Sequence, residues 1–82
     1  MFEEMEIERE LARIRDLIVA CGSQIDYSQH IRDIKPIVKR LQRLKKNASD
    51  RAEFERLQDL ECKALIYLNT MNKCQANFEN QR

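Results

Sequence analysis

Tryptophan is absent from this chain, and glycine, proline and histidine occur once each. Aromatic residues make up 6% of the 82 positions. One glycine rules out a phosphate-cradling glycine loop, which needs several such residues close together. One histidine (His30) leaves no second imidazole for a metal and no serine or cysteine at a spacing that suggests a nucleophile pair. The three cysteines, at 21, 62 and 74, show no C-x-x-C spacing and form an odd set. An odd thiol count suits a reducing compartment, so cytoplasm or nucleus is expected. Cys62 and Cys74 are twelve positions apart on one expected helix, about 18 Å along its axis, and cannot bridge each other. No catalytic residue, cofactor or metal site is expected, and the chain reads as non-enzymatic.

Long apolar runs are also missing. The longest is Leu17-Ile-Val-Ala-Cys21, far short of the roughly 20 residues a membrane span requires. The acidic start MFEEMEIERE does not read as a signal peptide, which begins basic and then apolar. Neither membrane insertion nor export is expected.

What the chain does have is charge and helix-forming residues. Charged residues are 35% of the total, and 15 basic against 14 acidic residues leave a net charge of +1. Glu, Lys, Arg, Leu and Ile predominate, all of which favour helix over strand at the spacings they occupy here. The length supports one small domain over residues 1–82.

Three helices are expected. The first, about 3–21, places Ile7, Leu11, Ile14, Ile18 and Cys21 on one stripe, with Gly22 suited to the left-handed residue that ends it. The second, about 28–47, carries Ile31, Ile34, Val38 and Leu41, with Asp26 and Ser28 both suited to cap its start. Pro36 lies inside it. Either the helix kinks there, the form preferred, or a turn over 28–34 leads into a helix beginning at Pro36. The third, about 50–76, sets Leu57, Leu60, Ala64, Tyr67, Met71, Cys74 and Phe78 at alternating three- and four-residue steps. Asp50 and Glu53 have the spacing of a capping box. A frayed tail is expected from about 77. Short connections make successive helices antiparallel. The expected fold is therefore an all-α three-helix bundle, or an antiparallel hairpin of the second and third helices with the first packed across it.

Charge is unevenly spread. Residues 1–16 hold six acids against three bases, whereas residues 35–46 hold six bases and no acid. In an antiparallel pair these segments meet, and the bland reading of the basic cluster is internal pairing with the acidic start. The sharper reading is a solvent-facing basic face of Lys39, Arg40, Arg43 and Lys46 that contacts nucleic-acid phosphate. No aromatic residue between Tyr27 and Phe54 is available to stack on bases, so nucleic acid is the secondary expectation. The apolar arc on the third helix is wider than one neighbour would cover. Phe54, Leu57, Leu65 and Leu68 are the candidate contacts to a larger helical protein partner, or to a second copy in a homodimer.

Residues 38–71, VKRLQRLKKNASDRAEFERLQDLECKALIYLNTM, carry Lys45 and Lys46 before a polar turn, then Asp50, Phe54, Gln58, Ala64, Leu65, Ile66 and Tyr67. In this order they resemble the helical hairpin of the small co-chaperone subunits of bacterial type III secretion needles. The resemblance implies a cytoplasmic subunit that pairs with a tetratricopeptide-type chaperone and keeps the needle protein from assembling early. The additional first helix and Pro36 depart from that family's compact hairpin.

Overall fold

The computed structural model describes residues 2–81. Its elements are α1 (Phe2–Cys21), α2 (Ser28–Lys46) and α3 (Arg51–Asn80). The described residues contain no strand, and the molecule is a slender three-helix bundle of 49 × 18 × 16 Å. α2 and α3 form an antiparallel hairpin. α1 runs alongside α3 in the same direction: Glu4 near its start pairs with Arg56 at 3.2 Å, and beyond its end the Tyr27 N–H donates to the Gln75 side chain. α1 rests chiefly on α3 and touches α2 only weakly.

The core follows the apolar spacing. Ile7, Leu11 and Ile14 from α1, Ile34, Val38 and Leu41 from α2, and Leu57, Leu60, Ala64 and Met71 from α3 are all buried. Each large aliphatic side chain removed from water contributes about 1.5–3 kcal/mol. Tyr27, in the segment between α1 and α2, is also wholly buried. Its hydroxyl donates to the Gly22 carbonyl at 2.5 Å, so the one polar atom on the ring is satisfied and the rest closes the end of the core. Burial pushes the phenol above its ordinary value of 10.0, with the Cys74 and Cys21 thiols adding to the rise.

The helix ends show how far local chemistry governs the fold. Gly22 adopts φ +51, the conformation glycine takes at little cost. Asp50 caps α3 by accepting the Glu53 N–H at 2.8 Å. The return bond of the capping box shifts by one residue: the Glu53 carboxylate accepts from the Ser49 N–H and hydroxyl rather than from Asp50. At the start of α2 the cap position belongs to Tyr27, with no side-chain cap bond. Neither Asp26 nor Ser28 takes it, although Asp26 accepts the Ser28 N–H at 2.8 Å.

α2 passes through Pro36 without a break, so the turn-then-helix alternative is not adopted. Ile34 and Val38 on either side are buried while Pro36 and Arg32 are exposed. The ring and the carbonyl it deprives of a donor thus face water, where the loss is cheapest. α3 continues to Asn80, beyond the expected end near 76, and Phe78 within that extension is half-buried.

Candidate docking face on the second and third helices

The basic run of α2 is divided by the bundle rather than neutralised by it. Arg40 reaches α1 and pairs with Glu3 at 3.2 Å. Lys45 turns the other way, pairing with Glu61 of α3 and donating to Gln58 at 2.7 Å. Its ammonium also sits 5.5 Å from the centroid of the Phe54 ring, within cation–π range. Glu4, expected opposite the end of α2, pairs instead with Arg56 of α3. Lys35, Lys39, Arg43 and Lys46 are exposed, and no ion pair involves them among the described residues. Internal pairing therefore accounts for Arg40 and Lys45 only.

Glu61 is the carboxylate that the sequence reading missed. It is buried on the α2-facing side of α3. The Lys45 hydrogen bond holds its pKa below the usual carboxylate range, helped by Gln42, while burial opposes the shift. A charge there is tolerable because a second charge and a polar neighbour meet it. Its one visible signal was position: Glu61 occupies the step between Leu57 and Ala64 on the inward arc, four residues before Leu65.

These contacts fix which sides of the two helices adjoin. Gln42 and Lys45 look toward Phe54, Gln58 and Glu61. Steps of three and four from Gln42 reach Lys39, Lys46 and Lys35 on the same stripe of α2. The same steps from Glu61 reach Leu65 and Leu68 on α3. Phe54 and Leu65 remain 43% and 45% exposed, and Leu68 is half-buried against the core. The resulting flank sets a row of free lysines beside an apolar row, with the Lys45–Glu61 pair in the seam between them.

Of the four candidate partner contacts, one lies in the core and one is only partly open. Leu57 is 1% exposed, because its position on the stripe with Leu60 and Ala64 turns it into the core, and it offers nothing to a docking protein. Leu68 presents only part of its side chain. Among the four basic-face residues, Lys39, Arg43 and Lys46 share one exposed stripe, and Arg40 lies at its edge, engaged by Glu3. The remaining exposed apolar residues are scattered: Met5 and Val19 on α1 and Ile66 on α3.

Clefts open on the surface of the described residues, two of them beside α1. The larger, about 340 Å³, opens between α1 and the start of α2 and is lined by Arg13, Ile14, Asp16, Leu17 and His30. The smaller, about 230 Å³, lies between α1 and α3, with Leu11, Ala12, Leu60 and Tyr67 among its walls. No group of three or more His, Cys, Asp or Glu positioned to hold a metal occurs among the described residues. No helix among them is long and apolar enough to cross a membrane. Comparison with family models, curated proteins and solved structures finds no match.

Proposed function

We propose that this chain is a non-enzymatic interaction subunit that binds another protein through the α2–α3 flank. The observation that carries the reading is the row of unpaired Lys35, Lys39 and Lys46 beside half-exposed Phe54 and Leu65. An acidic amphipathic helix meets both halves of that surface: its apolar stripe covers Phe54 and Leu65, and its carboxylates face the lysines. The narrower form of the reading, supported by the resemblance of residues 38–71, is a cytoplasmic co-chaperone subunit held on a tetratricopeptide-type chaperone. Pairing with a second copy is the simplest variant of the same surface use.

The second reading is a nucleic-acid-associated regulator, favoured by the same free basic stripe. The two separate on one experiment. The tagged chain is recovered from its native source beside Leu65→Lys and Lys39→Glu/Lys46→Glu variants whose helical circular dichroism is unchanged. A protein partner held by the wild type and weakened on the order of tenfold or more in both variants supports docking. A strictly monomeric chain that brings down no protein overturns it. Binding to arbitrary duplex DNA or RNA that falls steeply with salt and is lost on Arg40→Glu/Arg43→Glu transfers the conclusion to nucleic acid.

A further inference from the structure

Two thiols that are far apart in sequence lie at the same end of the bundle, around Tyr27. Cys21 ends the inward stripe of α1 that begins at Ile7, and Cys74 follows Ala64, Tyr67 and Met71 on α3. Both are half-buried, unlike Cys62, which is exposed. Their height along the bundle follows from the Glu4–Arg56 pair. Cys21 lies almost as far along α1 from Glu4 as Cys74 lies along α3 from Arg56. The helices run the same way, so the two positions fall at a similar height in the bundle. Tyr27 ties the same level together, bonding through its N–H to Gln75 and through its hydroxyl to the Gly22 carbonyl, the immediate neighbours of the two cysteines. Both thiols also lie close enough to the phenol to disfavour its ionisation.

We infer that Cys21 and Cys74 form a dithiol site that small disulfides oxidise to an intramolecular bond joining α1 to α3. Close-packed helix axes are about 8–10 Å apart, with Cα atoms about 2.3 Å off each axis. Facing positions thus approach to roughly 3.5–5.5 Å, which overlaps the roughly 4.4–6.8 Å a disulfide spans. The chemistry is thiol–disulfide exchange. One cysteine thiolate attacks a sulfur of the small disulfide, forming a mixed disulfide and releasing one small thiolate, which takes up the proton the cysteine lost. The second cysteine thiolate then attacks the protein-side sulfur and expels the other small thiolate, again protonated by the proton given up. Two protein thiols are oxidised by two electrons, and one small disulfide is reduced to two thiols. The bond would secure the helix that has the less extensive contacts.

The test uses the full chain carrying Cys62→Ser, incubated with oxidised glutathione and mapped by mass spectrometry. The expected product is two hydrogens lighter than the reduced chain and yields a linked peptide pair containing Cys21 and Cys74. It also melts at a higher temperature, and reduction reverses both changes. Cys21→Ser and Cys74→Ser chains are each expected to stop at a glutathione adduct. Accumulation of doubly glutathionylated chain with no linked pair overturns the inference, as does linkage only between separate chains. Full thiol labelling with no reaction toward oxidised glutathione overturns it equally.

Discussion

The two joints of this bundle are built differently. α2 and α3 pack along each other and enclose a charged pair, Lys45 with Glu61, beneath the Phe54 ring. α1 is added to that hairpin through an apolar stripe and ion pairs at its start: Arg56–Glu4 and Arg40–Glu3, in which both arginines are well exposed. The hairpin has a seam whose failure leaves a charge buried. The α1 joint has apolar contact on one side, weak contact with α2 on the other, and an open cleft beside Ile14 and Leu17. Each joint encloses one buried carboxylate, Glu61 in the hairpin and Glu4 under α1. The lesson is that they differ in the cation: the hairpin draws Lys45 in with its partner, whereas α1 is met by an arginine that stays in water.

The largest effect that tests this contrast is a paired truncation. Leu41→Ala is expected to cost about 3–4 kcal/mol and Ile14→Ala nearer 2–3, because the site beside the cleft collapses more readily around the lost atoms. Urea unfolding followed by circular dichroism measures both, and equal or reversed costs would erase the asymmetry. Next in size is Lys45→Ala, which leaves Glu61 buried without its cation and is expected to cost about 3 kcal/mol or somewhat less. The same pair sets an acid dependence. Glu61 is held below its ordinary 4.5 in the folded state, so its contribution is present above that pH and is lost as pH falls through the folded value. A pH series should show this loss in the wild type and not in Lys45→Ala. Smallest is Glu4→Gln, which weakens the α1 joint by about 1 kcal/mol or less: Glu4 is buried, but the amide leaves no charge there and the Arg56 it releases is already solvated. A cost near that of Lys45→Ala would show the two joints to be alike.

Much of the fold was legible because period and punctuation agree. The stripe from Ile7 to Cys21 and the glycine that follows it specify the end of α1 by two physical routes, and the Asp50 cap specifies the start of α3 by a third. Pro36 was not decidable from sequence, since what matters is which side of the helix its ring meets, and only the bundle determines that. Tyr27 was read as part of a connection, because burial in a loop depends on where the loop crosses the core. The flank proposed for docking was half legible. Phe54 and Leu65 are exposed, but Leu57 lies one step round in the core, and periodicity alone does not divide an apolar arc between core and surface. The partners of the basic run were less legible still, as Arg40 and Lys45 diverge to opposite neighbours from one continuous segment.

Tyr27 also gives the chain a built-in optical gauge. With no tryptophan present and two tyrosines in all, near-ultraviolet dichroism and tyrosine emission are free of indole signal. Tyr27 is fully enclosed and hydrogen-bonded at both its backbone and its ring, whereas Tyr67 is partly open to solvent. The sharper component of that signal therefore reports whether the Gly22–Tyr27 segment is seated on α3. Helical content, read in the far ultraviolet, is blind to that seating.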